Sequence, residues 1–486
     1  MLWQQKVLIG MNTLQVFLNK HVRRVKPSPL LGLTKKVQIE SLDLEAQGVG
    51  RLPADDLHTP NKVVFIPGAL PGEVVDYEIT QNKSNFQKGK LTKIERQAVF
   101  RRQPRCPWYE TCGGCTMQHL DSRAQLAFKQ RALEDQLWHI GQVRADVLDR
   151  PISGPDWAYR YRTRLSVVNR SIKKGTVLVG FHEPQNRYVT DMTSCEVLPK
   201  KWSDLLPMLR TLVMDLSIRD RIPQIELAMG GDRDHLMTAM VIRHLLPLSE
   251  PDQVVLVDFA LKHDLWIWTQ SHGPESVKPF YPLTGELTYS LPEFGITIPF
   301  GPTEFTQINH TMNQVLVGRA VRFLKISPSD RVLDLFCGVG NFTLPIATLA
   351  QEVVGIEGSD ELCRRAQSNS IKNHLGSKTH FKNINLFQVD ATEIASWGAF
   401  EKWLIDPPRD GAFALVQALQ QLHLAGQIHY LPQRIVYISC NPSTLARDAG
   451  VLVNQIGYRL VQAGILNMFP HTSHVESMAV FERIKQ

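Results

Sequence analysis

The sequence predicts a multidomain α/β protein with an N-terminal β-barrel, a central mixed, β-rich domain and a C-terminal Rossmann-like domain. Short β-like runs separated by glycines fill residues 36–97, and β-rich sequence continues through residues 98–300. From Arg331 onward, within residues 301–486, strands and helices alternate as in a doubly wound sheet. At 486 residues the chain is also too long for a single hydrophobic core.

The composition favours a globular protein that binds a polyanion. The formal charge of +7 and the pI near 9.0 indicate a nucleic-acid partner, although a mild basic excess also serves solubility. No apolar run reaches the roughly 18 residues that span a bilayer, so a membrane protein is disfavoured. Seven cysteines and no secretory leader suit a reducing compartment. We therefore expect a cytoplasmic protein without a disulfide framework and, since nothing implies a protein partner, a monomer.

Residues 1–35 form a basic N-terminal extension. No acidic residue precedes Glu40, whereas lysines and arginines recur from Lys6 onward. This bias is shared by targeting segments and by basic RNA-binding arms, and a mispredicted start with Met11 as the true first residue explains it equally well. All three interpretations stay open.

Residues 36–97 are predicted to form the β-barrel. The predicted strands are Val37–Leu42, Val63–Ile66, Glu73–Thr80 and Gly89–Ile94. The glycines and prolines between them, including Gly48 and Gly50, are interpreted as breaks. Four lysines cluster near the end of the barrel: Lys83, Lys88, Lys90 and Lys93. They suit nucleic-acid binding, and they also suit an ordinary solvated surface.

A group of cysteines opens the central domain. Cys106, Cys112 and Cys115 place three thiols within ten residues, and the two glycines before Cys115 permit a tight turn. A single C-x2-C pair with one outlying cysteine favours an iron–sulfur cluster over structural zinc. A helix is predicted from about Asp121 to His139, and it is expected to pack on the C-terminal Rossmann-like domain.

An arginine-rich run, Tyr159–Arg164, is predicted to be a strand. Alternation would then place Arg160, Arg162 and Arg164 on one face and the tyrosines on the other. Such a row of guanidinium groups is either a solvated face or a surface that contacts phosphates.

A glycine turn predicts the cofactor site. The strand from Arg331 runs into Cys337-Gly338-Val339-Gly340 and then a helix, and the next strand ends in Glu357, an acid placed to bind ribose hydroxyls. The turn lacks the third glycine of a dinucleotide fingerprint, which favours S-adenosylmethionine over NAD. Asp390, at the end of a predicted strand at residues 387–389, is either an adenine contact or an ordinary turn acid.

Two further strand ends carry groups suited to catalysis. Cys440 follows an apolar strand and precedes a helix, and Asp406 follows another strand and is itself followed by two prolines. Ligands of open α/β sheets bind at the carboxyl ends of the strands, so the two groups are expected to converge for covalent catalysis beside an acid. The alternative is a buried, inert thiol.

From about Lys36 to Lys485 the chain resembles the RNA (uracil-5-)-methyltransferases, on the basis of Ser439-Cys440-Asn441-Pro442, the Asp-Pro-Pro of Asp406, and the closing run that contains Glu476. The resemblance implies a TRAM barrel, Cys440 as nucleophile and Glu476 as base. The cofactor contacts that it implies are Gln307, Phe336, Asn341, Glu357, Asp390 and Asp406. It implies that Phe305 and Asp406 contact the substrate base. It also implies a 4Fe-4S cluster whose fourth ligand, beside Cys106, Cys112 and Cys115, is Cys195.

The substrate implied by this resemblance is a specific uridine of 23S rRNA, because the barrel and the cluster occur in the rRNA branch of the family. The same chemistry on another rRNA uridine or on tRNA is the first alternative. A noncatalytic RNA-binding protein and an amino-group methyltransferase are two others. The combination of Cys440, Asp406 and Glu476 argues against both of these.

Overall fold

The computed structural model describes residues 30–54, 56, 60–169, 175–184, 186–231 and 235–484. The three interpretations of the N-terminal extension concern residues that lie almost entirely outside this set. The described residues divide into two compact units, one of residues 30–41 and 47–98 and the other of residues 42–46 and 99–484. The helices of the described residues all fall short of the length and apolar character needed to cross a membrane.

The first unit is a closed barrel with the strand order β1-β2-β3-β5-β4, which confirms the predicted β-barrel. Its strands are β1 (Thr34–Leu42), β2 (Gln47–Arg51), β3 (Val63–Pro67), β4 (Val74–Asn82) and β5 (Phe86–Arg96). Interpreting Gly48 and Gly50 as breaks was wrong, because both lie within β2. A Cβ atom would come within 2.8 Å of the Ala69 carbonyl oxygen at Gly48 and within 2.6 Å of the Gln38 carbonyl oxygen at Gly50. Close approach of backbones therefore requires glycine there.

The second unit begins with the cysteine region, a helix and a sheet in the order β12-β11-β10-β9-β7-β8. The sheet consists of β7 (Arg162–Asn169), β8 (Val177–Gly180), β9 (Gln224–Gly231), β10 (Leu236–Arg243), β11 (Trp266–Gln270) and β12 (Lys278–Tyr281). The helices are α1 (Ser122–His139), α2 (Lys200–Asp215) and α3 (Glu250–His263). A separate hairpin consists of β13 (Leu287–Leu291) and β14 (Ile296–Phe300).

The predicted arginine row forms only in part, because Arg162 and Arg164 share one face of a strand and Arg160 lies outside it. Strand β7 begins only at Arg162, so Arg160 precedes it, and Arg162 and Arg164 both pair with Glu226 on the neighbouring strand β9. A carboxylate on the adjacent strand thus neutralises part of the charge that the sequence assigned to a solvated or phosphate-binding face.

The remaining part of the second unit is an eight-stranded sheet in the order β17-β16-β15-β18-β19-β21-β20-β6. Its strands are β6 (Val147–Leu148), β15 (Arg331–Leu335), β16 (Glu352–Glu357), β17 (Thr379–Asn383), β18 (Lys402–Ile405), β19 (Arg434–Ser439), β20 (Tyr458–Leu466) and β21 (Glu476–Arg483). Its helices are α4 (His310–Leu324), α5 (Thr343–Ala347), α6 (Asp360–Lys372), α7 (Ala391–Trp397), α8 (Phe413–Leu424) and α9 (Pro442–Asn454). Strands β15 to β19 run parallel, and β21 lies antiparallel to both β19 and β20.

Two local predictions in the helical regions have different outcomes. Helix α1 forms as predicted, and its buried Leu133 and Leu137 share a hydrophobic core with Leu445 and Ala446 of α9. Residues 387–389, in contrast, form a turn and bend rather than a strand. The apolar run was misleading because Phe387 is exposed while Val389 is buried, an alternation that a turn can also produce.

Candidate active site

A cavity of about 630 Å³ lies at the carboxyl ends of the parallel strands β15, β16, β18 and β19. This edge is where ligands bind in open α/β sheets. Seven of the side chains predicted to act in catalysis or binding line it: Phe305, Gln307, Phe336, Glu357, Asp406, Cys440 and Glu476. The fold therefore brings these distant parts of the sequence together at one place.

The register of two antiparallel strands places Cys440 beside Glu476. Ser439 at the end of β19 pairs with Ser477 of β21, and the Ser477 hydroxyl donates to the Ser439 carbonyl oxygen at 3.0 Å. Antiparallel pairing continued by one residue sets Cys440 opposite Glu476. A thiol and a carboxyl group thus share one end of the sheet.

The surroundings of Cys440 disfavour its thiolate form. The residue is half-buried between β19 and α9. The pKa of the thiol is raised to about 11, chiefly by burial and then by the carboxyl groups of Glu476 and Asp406, while the Arg409 guanidinium acts to lower it. Since the thiolate is the nucleophilic form, Arg409 acts in the direction that activates Cys440.

Asp406 and Glu476 bring two carboxyl groups to the cavity that form no side-chain hydrogen bond with another described residue. Burial raises the pKa of Asp406 to about 7. Burial, and then the proximity of Asp406, raise the pKa of Glu476 well above its usual range. Unpaired carboxyl groups in a cavity cost free energy unless a ligand satisfies them, and they are typical of functional sites.

The glycine turn forms the other end of the cavity. Glu357, the last residue of β16, accepts hydrogen bonds from the backbone N–H groups of Gly338 and Ser359, both at 3.1 Å. Gly338 and Gly340 have φ angles of 54° and 93°, and a Cβ atom at Gly338 would meet nothing within 4 Å. Backbone conformation, rather than crowding, therefore favours glycine at position 338.

A third element of the cavity is the loop that carries Phe305 and Gln307. Arg162 holds it by donating to the carbonyl oxygens of Glu304 and of Thr303, the latter at 2.5 Å. Phe305 remains 68% exposed at the edge of the cavity. An exposed aromatic ring there is available to stack on a ligand.

Asn341 and Asp390 are not among the residues that line the cavity. Asn341 exchanges side-chain hydrogen bonds of 2.9 and 3.0 Å with Asn313 and accepts one of 2.9 Å from the Tyr289 hydroxyl. Asp390 caps α7 by accepting from the Glu393 N–H at 2.9 Å. The predicted contacts of both residues with a cofactor stay predictions.

Four residues that the sequence had not singled out as site residues also line the cavity: Arg160, Arg409, Phe469 and His474. One nitrogen of Arg409 lies 3.4 Å from each ring nitrogen of His474, and burial, followed by Arg409, lowers the pKa of His474 to about 4. Arg409 directly follows Asp406-Pro407-Pro408, so a cation next to a predicted site acid was a readable signal. Arg160 was expected only as part of a solvated or phosphate-contacting arginine row, and its place in this cavity depends on tertiary contacts.

The four predicted metal cysteines line one smaller cavity of about 90 Å³: Cys106, Cys112, Cys115 and Cys195. All four are free thiols. Burial raises the pKa of Cys115 to about 11 and that of Cys195 to about 12. Within the described ranges, no group of three or more His, Cys, Asp or Glu side chains is arranged to hold a single metal ion. The structure therefore brings the cysteines together without forming a mononuclear metal site.

The parallel sheet, the glycine turn, the acid at the end of β16 and the cavity beside them define an S-adenosylmethionine-dependent methyltransferase. Family models agree with this class. The model described as tRNA (Uracil-5-)-methyltransferase matches residues 299–484, and the TRAM domain model matches residues 30–92.

Curated relatives identify the family. A protein of Cupriavidus pinatubonensis named 23S rRNA (uracil(1939)-C(5))-methyltransferase RlmD is 58% identical over 447 residues, which cover 92% of this chain and 95% of the relative. A protein of the same name from Burkholderia ambifaria is 55% identical over 462 residues, covering 95% and 98%. The chain belongs to this RlmD family of RNA (uracil-5-)-methyltransferases.

A solved structure supports the fold over most of the chain. The crystal structure of Pyrococcus abyssi tRNA (uracil-54, C5)-methyltransferase in complex with S-adenosyl-L-homocysteine has a TM-score of 0.68 and 22% sequence identity, and the match covers 92% of this chain and 100% of that chain. At this identity the likeness shows a common fold.

Proposed function

We propose that this protein methylates carbon 5 of the 23S rRNA uridine numbered 1939 in the names of its relatives, through a covalent bond between Cys440 and carbon 6 of the uracil. The observation that carries the proposal is the meeting of Cys440, Glu476 and Asp406 in one cavity beside the glycine turn. The three groups match the needs of this reaction: a nucleophile, a base for carbon 5 and an acceptor for the uracil edge.

The side chains divide the reaction among them. The Cys440 thiolate adds to carbon 6, and the electrons of the C5–C6 double bond move toward the carbonyl oxygen at carbon 4. S-adenosylmethionine supplies the methyl group that carbon 5 then accepts. Glu476 removes the proton from carbon 5, the double bond re-forms and the Cys440 thiolate leaves. Asp406 orients the ring throughout by hydrogen bonding to the uracil edge.

The electrostatics of the cavity raise the basicity of Glu476 but oppose the Cys440 thiolate, which burial and the neighbouring carboxyl groups disfavour. Burial and the proximity of Asp406 raise the pKa of Glu476, and a carboxylate with a raised pKa is a stronger base than an exposed one. Arg409 favours the thiolate of Cys440. Phe305 supplies an aromatic face for a uridine that has left its stack.

The residues proposed to hold the cofactor are those that surround the glycine turn. Glu357 would accept from the ribose hydroxyls, and Phe336 and Gln307 line the same cavity. Asn341 and Asp390 would have to turn from their present partners to reach it.

Residues Cys106, Cys112, Cys115 and Cys195 are proposed to hold a 4Fe-4S cluster. An all-thiol donor set without disulfides suits it, and the four ligands of a cubane bind four different irons, so they need not converge on a single ion. The purified protein is expected to contain iron and inorganic sulfide and to absorb visible light. One zinc per chain and no visible absorbance would contradict the cluster.

The barrel is proposed to add affinity for RNA through lysines that include Lys88, Lys90 and Lys93 of β5. Because bound phosphates release counterions, affinity should fall steeply with salt. We further propose that the protein acts as a monomer in the cytoplasm, where its thiols stay reduced.

The function is tested by mapping 5-methyluridine in RNA from cells that lack this protein. We expect the modification to disappear from position 1939 of 23S rRNA, to return with the wild-type gene and not to return with Cys440→Ala. If 5-methyluridine is lost from a tRNA position instead, and 23S rRNA is unchanged, the substrate is tRNA. Full restoration by Cys440→Ala would contradict the covalent mechanism.

A further inference from the structure

The segment just before Glu476, residues 467–473, is held by a part of the chain far away in sequence; we name it the closing segment. The backbone N–H groups of Thr116 and Met117 both donate to the His471 carbonyl oxygen at 2.9 Å. These two residues directly follow the cysteine loop. The closing segment, which leads to the proposed base Glu476, is therefore anchored by residues outside the methyltransferase sheet.

Helix α1 provides a second anchor through a buried lysine. Lys129 is 3% exposed, and its ammonium group donates to the Asn467 side-chain oxygen and to the Phe469 carbonyl oxygen, both at 2.8 Å. Burial lowers the pKa of this lysine to about 7. An amine is expensive to bury, so its presence beneath the closing segment calls for a reason other than packing.

One turn earlier on the same helix, Gln125 binds the middle of the closing segment. Its oxygen accepts from the His471 N–H at 2.9 Å, and its nitrogen lies 3.2 Å from His471 Nδ1. The Trp157 ring stacks on the His471 ring with centroids 3.8 Å apart. Lys129 and Gln125 thus fix the backbone at two points.

The anchored segment forms part of the cavity wall beside Glu476. Phe469, whose carbonyl oxygen binds Lys129, lines the cavity together with His474, and their ring centroids lie 5.6 Å apart. A shift of Phe469 would change both the direction in which the chain enters β21 and the exclusion of water from Glu476.

We propose that Lys129 is a positioning residue for the removal of the carbon 5 proton, because its bonds to Asn467 and Phe469 hold the segment that aims and desolvates Glu476. The inference rests on the proposed role of Glu476 as base. It assigns Lys129 to the second half of the reaction, after the Cys440 adduct has formed.

The test compares Lys129→Met with Glu476→Gln and with the matched control Lys378→Met. Lys378 also donates to two carbonyl oxygens, at 3.3 Å each, but lies between α6 and β17, away from the closing segment. Labelled S-adenosylmethionine and substrate RNA are mixed with each protein, and the methylated protein–RNA adduct that survives denaturation is quantified over time against free methylated RNA.

We expect Glu476→Gln to accumulate the adduct and Lys129→Met to accumulate it as well, with turnover about tenfold slower, since small misplacements of a catalytic group have costs of this size or larger. Adduct formation and S-adenosylhomocysteine affinity should stay within about twofold of wild type. Lys378→Met should turn over as wild type does and accumulate no adduct. If Glu476→Gln shows no accumulation, the proposed function fails.

If Glu476→Gln accumulates the adduct and Lys129→Met releases product at the wild-type rate, the inference about Lys129 is overturned. Equal slowing of adduct formation and release in Lys129→Met would also overturn it, because a general loss of structure affects both. Thermal melting shows whether Lys129→Met folds. If Lys129→Met does not fold, the same adduct assay is applied to Asn467→Ala. This variant removes one hydrogen-bond acceptor of Lys129 and leaves the buried amine in place.

Discussion

Alkylation of Cys440 by iodoacetamide in the cofactor-free protein is expected to be slow and steeply dependent on pH. Burial and the neighbouring carboxyl groups raise the pKa of this thiol to about 11, so the rate should rise about tenfold per pH unit from about pH 8 to about pH 10. A catalytic thiol in this protein would then depend on bound ligands for its activation.

The magnitude follows from the ionised fraction. At about pH 8 a thiol with a pKa of about 11 is ionised in about one molecule per thousand, and an ordinary cysteine with a pKa of about 8.5 in about one molecule in four. A more basic thiolate is also more nucleophilic, and a Brønsted coefficient of about 0.4–0.5 recovers about tenfold of that difference. Cys440 should therefore react about twentyfold more slowly than a cysteine in an unstructured peptide.

The assay measures alkylation of the peptide that contains Cys440 by mass spectrometry, in wild type, Arg409→Gln and the control Arg364→Gln. Removal of the Arg409 cation should slow the reaction further, by up to about fivefold for an exposed charge. Arg364, which pairs with Asp360 on exposed α6, should have no effect. A wild-type rate that levels off below about pH 9 would refute the reasoning, because the thiol would then ionise near neutral pH.

Three further predictions concern the other parts of the site. Asp406→Asn should lower single-turnover methylation about a hundredfold, the size expected for a lost charge-assisted hydrogen bond in a closed site, and a change below about threefold would remove Asp406 from substrate binding. Arg162→Met should weaken S-adenosylhomocysteine binding about tenfold in calorimetry by releasing the Gln307 loop, whereas Arg164→Met, which does not contact the loop, should bind as wild type does. Cys195→Ser should lose iron and visible absorbance, and Cys363→Ser, at a buried thiol of α6 that does not line the cysteine cavity, should retain both; equal loss in the two variants would contradict the ligand assignment.

Local sequence was sufficient to predict the parts of the site that one strand and its turn create. The glycine turn with Glu357, the thiol after β19 and the carboxyl group after β18 each follow from a strand that ends in a functional residue. Their convergence then required only the rule that parallel strands end at the same edge.

Other parts depended on contacts between distant segments. Glu476 reaches Cys440 because an antiparallel strand enters the sheet in a defined register, which the spacing of the two residues does not encode. The Asn341 side chain is occupied by Asn313 and Tyr289, and neither contact is visible in the sequence. The glycines of β2 look like breaks in the sequence, and only the approach of Ala69 to Gly48 and of Gln38 to Gly50 explains them.

The most direct test of the covalent mechanism uses substrate RNA in which the target uridine is replaced by 5-fluorouridine. Fluorine at carbon 5 cannot be removed as a proton, so the methylated base should stay bonded to the protein. The covalent mechanism predicts a denaturation-resistant complex whose RNA is attached to the peptide containing Cys440, and no complex with Cys440→Ala. Efficient methylation of ordinary RNA without any trapped complex, or attachment at another residue, would contradict it.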